Sequence, residues 1–117
     1  MARTPQEVFD RHRQALETGN FELLMEDYAD DAVVLTLDGA HVGKEAIGRD
    51  FFGRLMTQFP DVKMTFEKTA VEGDLVLIQW SAEASTMSCP LGTAVFLIRD
   101  GKIQRQGEWF QMLPKKA

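Results

Sequence analysis

Two residues carry the sequence's strongest chemical suggestion. His12 sits on a helical face otherwise made of Val8, Phe9, Ala15 and Leu16. An imidazole in that setting serves as a general acid or base, or hydrogen-bonds a ligand carbonyl. The same placement also suits a core histidine satisfied by its neighbours. Glu108 shares one strand register with Gln104, Gln106 and Phe110. Turned inward among Phe110, Trp80 and the helix aromatics, its carboxylate would lose solvation, which would raise its pKa toward the range of a useful base. A slip of one residue would put Trp109 in its place. Tyr28 and Trp80 offer a ring with a polar handle, suited to a pocket wall or to plain core packing. Trp80 lies on one strand face with Val76, Ile78, Ala82 and Ala84, whereas Glu83 has the opposite, outward register.

Other reactive side chains are read as structural. Asp30 and Asp31 are adjacent, so on extended chain they point apart, and Asp readily caps and turns. His41 follows a turn and reads as a loop histidine near a pocket mouth. Cys89 precedes Pro90 in an expected loop, and nothing beside it favours a thiolate. No HxH, HxxxH or CxxC spacing is present, so no metal is expected.

The elements that must position these groups follow from periodicity. Thr4, Pro5 and Glu7 form a helix start, and Gly19-Asn20 a stop. A short second helix carries Phe21, Leu24, Met25 and Tyr28 on its apolar side. The run from Ala32 to Leu37 reads as a strand, and Asp38-Gly39 as a turn. A third helix is expected over about 44–58, with Ile47, Phe51, Phe52, Leu55 and Met56 inward and Pro60 as its stop. Strands follow over 62–71, 75–86, 93–98 and 103–113. Cys89-Pro90-Leu91-Gly92 reads as a connection, and Asp100-Gly101 as a tight hairpin turn. The order α-α-β-α-β-β-β-β implies an α+β fold with a mainly antiparallel sheet.

Composition bounds the partners. The chain has 117 residues, enough for one domain spanning 1–117 with one core. Its net charge is −5, with 18 acidic residues against 13 Lys and Arg. The only Lys/Arg run, Lys115-Lys116, lies at the tail, so no basic face for nucleic acid is expected. The first residues lack an apolar leader pattern. No apolar run reaches the roughly 20 residues of a membrane helix. A single cysteine excludes an intrachain disulfide. A soluble, cytoplasmic protein is the expectation.

Tyr28-Ala29-Asp30-Asp31-Ala32-Val33-Val34, then Gly43-Lys44-Glu45-Ala46-Ile47 opening a helix, then Asp100-Gly101-Lys102-Ile103 entering the last strand, resemble the nuclear transport factor 2-like superfamily. Within it the chain is most similar to the SnoaL-like and ketosteroid-isomerase-like branch. The resemblance implies a cone-shaped curved sheet wrapped around three helices, a pocket inside the cone, and a homodimer through the outer sheet face. It turns Gln106, Glu108 and Phe110 into the cone and places His12 on the pocket. It does not carry ketosteroid isomerase chemistry. Where that enzyme has a tyrosine donor, an aspartate base and a protonated aspartic acid, this chain has His12, Thr36 and Ala94. The arginine-between-carboxylates set of limonene-epoxide-hydrolase-like proteins is also missing from the inward registers.

The expectation is therefore a pocket for a small apolar carbonyl or hydroxyl compound, acted on without a cofactor by an isomerase, cyclase or dehydratase. His12 and Glu108 would divide the acid–base work, and Tyr28, Phe51, Trp80, Gln106 and Phe110 would bind substrate. The rival expectation is a noncatalytic dimeric binding or assembly module, with Val95, Leu97, Trp109, Arg105 and Gln111 facing outward. A filled cone would favour that rival.

Overall fold

The computed structural model describes residues 2–115; Met1 and Lys116 of the sequence reading above lie outside them. Helix α1 (Pro5–Thr18) starts on a capping box. The Glu7 amide donates to Thr4 Oγ1 at 3.2 Å, and the Thr4 amide donates to Glu7 Oε1 at 2.8 Å. Gly19 ends the helix in the left-handed region at φ 69°. α1 buries Val8, Phe9, His12 and Ala15, the face its spacing predicts. Helix α2 (Phe21–Glu26) buries Leu24 and Met25. Phe21, expected inward, is instead exposed.

Tyr28 does not end α2. It opens strand β1 (Tyr28–Thr36), which turns into a short strand missed from sequence, β2 (Gly39–Val42). The helical stretch over 44–58 exists but is not uniform. Helix α3 (Lys44–Ala46) passes into a π turn (Ile47–Phe52) and then helix α4 (Gly53–Gln58). In the π turn the Gly53 amide donates to Gly48 O, five residues back. The wider turn buries Ile47, Phe51 and Phe52 together.

Strands β3 (Lys63–Glu72), β4 (Leu75–Glu83), β5 (Met87–Arg99) and β6 (Lys102–Phe110) complete one sheet, with β7 (Leu113–Pro114) paired to β5. The order is β2-β1-β6-β5-β4-β3. Pairing is antiparallel except for β1 with β6, which is parallel. Register shifts in the β1–β6, β3–β4, β4–β5 and β5–β6 ladders bend the sheet around the helices. Asp100 and Gly101 make the expected tight turn at φ 55° and 72°.

The segment 89–92 is strand rather than connection. Pro90 and Leu91 fall in a bulge where β5 has an extra residue between the pairs Trp80–Gly92 and Ala82–Cys89. Pro90 needs no ladder partner there, so its missing N–H is tolerated.

One buried ion pair ties the helices to the sheet. Asp27, 2% exposed at its side chain, accepts from Arg11 Nε at 2.7 Å, and Arg3 lies 3.6 Å away. The Asp27 carbonyl accepts from the Ile103 amide at 2.7 Å. Asp30 and Asp31 are exposed on β1. Lys115 pairs with Glu83 at 2.8 Å on the outside.

Candidate functional site

The inward residues of β3, β4, β5 and β6, the buried face of α1 and the 44–58 helical stretch line a partly open cavity of about 330 Å³. Its wall is mostly apolar, including Phe52, Met64, Phe66, Ile78 and Phe96. The polar exceptions are His12, Gln106, Glu108 and the Trp80 N–H. Four ladder pairs explain the convergence. Phe66 pairs with Trp80, Ile78 with Ala94, Ala94 with Glu108, and Phe96 with Gln106. Alternation then puts Gln106, Glu108 and Phe110 on the cavity side and exposes Trp109 on the other.

Glu108 keeps a little accessible surface because it borders the cavity, while protein surrounds it on nearly every side. Burial pushes its carboxyl up to about 8. Gln106 opposes that shift by donating its Nε2–H to Glu108 Oε1 at 2.7 Å. The Trp80 indole also favours the carboxylate, although its N–H has no acceptor within hydrogen-bond geometry. The ionised form is costly here.

Gln106 is itself held. The Tyr28 hydroxyl donates to Gln106 Oε1, so the amide's other end must present its NH₂ to Glu108. Tyr28 is 1% exposed. Burial, and secondarily the Glu108 charge, hold its phenol well above the ordinary range, so it stays a donor. Tyr28 does not itself border the cavity. The expected ligand contact is replaced by a supporting contact through Gln106. The parallel pairing of β1 with β6 makes this possible, because it sets Tyr28 opposite Ile103.

His12 is 3% exposed and borders the same cavity. Its ring packs edge-on against Phe96, at 5.3 Å between centroids, and against Tyr28 at 5.7 Å. Burial lowers its pKa to about 4, despite the opposing pull of Asp27. The imidazole is therefore neutral at ordinary pH, with Nδ1 buried and unpartnered. A neutral ring offers a hydrogen bond rather than a ready proton.

The remaining expected residues divide. Trp80 and Phe110 border the cavity and pack against each other in a tilted arrangement, 5.6 Å between centroids. Phe51 does not; its place is taken by Phe52, and Phe51 instead borders an adjoining hollow against His41. The π turn causes the swap, because it turns two adjacent phenylalanines inward to different walls. Phe52 was visible in sequence as an apolar inward position and Phe66 and Phe96 lie within expected strands, but nothing there distinguished cavity wall from packed core. Cys89 is buried and free. No group of three or more His, Cys, Asp or Glu gathers among the described residues.

This architecture is shared with solved structures. An NTF2-like protein from Burkholderia thailandensis is 19% identical, with TM-score 0.80, covering 93% of this chain and 92% of its own. A putative polyketide cyclase from Sinorhizobium meliloti is 23% identical, with TM-score 0.76, covering 88% and 94%. IdmH, a putative polyketide cyclase from Streptomyces antibioticus, is 18% identical, with TM-score 0.79, covering 93% of each. At these identities the likeness shows the fold. No curated protein matches the sequence. The SnoaL-like domain family matches residues 9–106, from α1 to the glutamine that holds Glu108, and the chain belongs to that family.

Proposed function

We propose that the chain binds a compact apolar carbonyl compound in the cavity and moves a proton beside the carbonyl, as a cofactor-free isomerase, cyclase or dehydratase would. The supporting observation is the Glu108 carboxyl on an apolar cavity wall, held by Gln106 and pushed up to about 8. Such a group is a strong enough base near neutrality to take a carbon-bound α-proton. The electron pair of the broken C–H bond moves onto the carbonyl oxygen, giving an enolate, and Glu108 becomes the neutral acid. Neutral His12 donates a hydrogen bond to the developing oxyanion. Return of the proton at another carbon, or attack of the enolate carbon on an internal electrophile, completes isomerisation or ring closure. Two solved neighbours described as putative polyketide cyclases support such chemistry on this fold.

Size narrows the substrate. A cavity of 150 Å³ takes benzene, so one of about 330 Å³ suits about 13 non-hydrogen atoms. That is one or two rings, smaller than a sterol. The test is hydrogen–deuterium exchange at the α-carbons of β-tetralone, followed by NMR in heavy water. Exchange should be accelerated by the protein, rise with pH through about 8, and fall sharply in Glu108→Gln and His12→Ala. Acceleration unaltered in both variants sinks the assignment.

A second reading, a noncatalytic dimeric module, is supported by the outer sheet face. Leu35, Gly107, Val95 and Leu77 form one cross-strand row there, and its three leucine and valine side chains are exposed, as is Trp109. An apolar row of that kind suits an isologous contact with a second copy. Sedimentation of Val95→Glu tests it: a dimer should become a monomer. The space in the cavity supports the first reading rather than this one.

A further inference from the structure

The cavity adjoins a second hollow, of about 480 Å³, between the β1–β2 turn, the 44–58 helical stretch and the end of β6. Leu55, Phe59, Glu108, Phe110 and Met112 border both spaces. Glu108 is the ionisable member of that shared wall, so a molecule occupying both spaces passes beside its carboxyl. Met112, with a flexible thioether chain, gives the wall room to adjust.

The chemistry changes across the wall. The cavity side is nearly all apolar, whereas the hollow is bordered by Asp38, His41, Asp50 and Arg54. Asp50 is already committed, with its two oxygens accepting from Arg49 at 2.9 and 3.1 Å. His41 packs at a tilt against Phe51, 5.5 Å between centroids. Arg54 makes no ion pair or hydrogen bond among the described residues. Every other arginine does, to Asp27, Glu26, Glu17, Asp50, Asp74 or the Gln104 carbonyl. The Arg54 charge acts on Asp50 in the same hollow, but a guanidinium that makes no hydrogen bond is a ready bidentate partner for a carboxylate.

We infer that the two spaces form one bipartite ligand site, in which the cavity holds a ring ketone and Arg54 anchors a carboxylate tail in the hollow. The inference rests on the proposed reading of the cavity as a ligand site, and adds the substrate class: an amphipathic keto acid. Its ring satisfies the apolar chamber, its tail satisfies the uncommitted arginine, and the carbon between them lies beside Glu108. A neutral ring compound leaves the hollow and Arg54 unused.

Calorimetric titration with three compounds tests this: β-tetralone, its C1-linked propanoic acid, and the methyl ester of that acid. The acid should bind at least about 10-fold more tightly than the ester, one charge-assisted bidentate contact's worth. Raising the salt concentration should narrow that gap. Arg54→Ala should bring the acid-to-ester ratio close to one, and Arg54→Lys should restore part of it. Arg54 is exposed, so these variants should fold. An acid no tighter than its ester, or a gap that survives Arg54→Ala, overturns the inference while leaving the cavity reading intact, provided β-tetralone binding is still weakened by the cavity-filling Met64→Trp. If none of the three binds, or Met64→Trp changes nothing, the cavity reading falls and the inference falls with it.

Discussion

Gly92 and Trp80 face each other across the β4–β5 ladder so closely that a Cβ on Gly92 would lie 2.3 Å from Trp80 Cε2. The indole occupies the space a side chain on residue 92 would need, and that seat sets how far the ring projects into the cavity. Gly92→Ala should therefore push the ring toward Phe110 and Glu108. The expected cost is about 1–3 kcal/mol from overpacking, with a lowered Tm. In a Trp109→Phe background, the emission of Trp80 should shift and β-tetralone affinity should fall. A variant with unchanged Tm and emission would show that the seat has slack the close approach denies.

The pH dependence of stability should show two opposed contributions. His12 is lowered to about 4 from an ordinary value of 6.5, so between these values the unfolded chain binds the extra proton. Its contribution rises with pH across that window and is lost as pH falls through it. Glu108 is raised to about 8 from 4.5, so across that window the folded chain holds the extra proton. Its contribution is present below 4.5 and is lost as pH rises toward 8. The limiting slope of either is about 1.4 kcal/mol per pH unit. Denaturant midpoints at successive pH values should thus give a curve that falls from near neutrality toward pH 8 in the wild type. The fall should be absent in Glu108→Gln, which should keep the rise through the His12 window. Parallel curves for the two proteins would refute the Glu108 shift.

Much of this site was legible in the chain because strand alternation is a strict rule. Once Gln106, Glu108 and Phe110 share a register with Trp109 opposed, one decision about facing, taken from the family resemblance, sets all three, and the structure has Gln106 buried and Trp109 exposed. Gln104, expected in the same register, instead falls in the β5–β6 bulge between Ile103 and Arg105. The helix start at Thr4 was legible for a similar reason, since capping needs only local chemistry. The misreadings arise where a distant partner decides. Tyr28 looked like the end of a helix, but its role comes from a residue 78 positions away, reached through parallel pairing. Pro90 and Gly92 looked like loop residues by composition, yet one lies in a bulge and the other makes room for a ring. Phe51 and Phe52 could not be assigned to separate walls without the π turn, which a regular helical period does not foresee.

The Tyr28–Gln106–Glu108 chain makes a prediction about proton affinity at a distance. Tyr28→Phe removes the donor to Gln106 Oε1 and leaves a buried acceptor without a partner. That should cost about 1–3 kcal/mol. It also frees the amide to turn its oxygen toward Glu108, exchanging a donor that favours the carboxylate for an acceptor that favours the acid. The Glu108 midpoint should then rise above its present value of about 8. Carbon NMR of labelled glutamate side chains follows this directly, and Gln106→Leu should move the midpoint the same way. A Tyr28→Phe protein that is merely less stable, with an unmoved midpoint, would make Tyr28 a packing residue only.

The ion pair beneath the helices should carry more stability than its surface counterparts. Asp27 is 2% exposed at its side chain and depends on Arg11 at 2.7 Å, with Arg3 at 3.6 Å the other cation within reach. Arg11→Ala leaves that carboxylate buried beside a single longer contact, and because Arg11 is itself partly exposed the cost should lie below that of a fully buried pair, at about 1–3 kcal/mol. Arg49 pairs with Asp50 at 2.9 Å, but both side chains are well exposed, so Arg49→Ala should cost about 0–1 kcal/mol. Because Asp27 also bears on His12, which its charge raises against burial, the Arg11→Ala protein should show a higher His12 midpoint by proton NMR, since the carboxylate's field is then less neutralised. Chemical denaturation that ranks the two arginines equally, with His12 unmoved, would place the anchoring of α1 and α2 in their apolar contacts rather than in this pair.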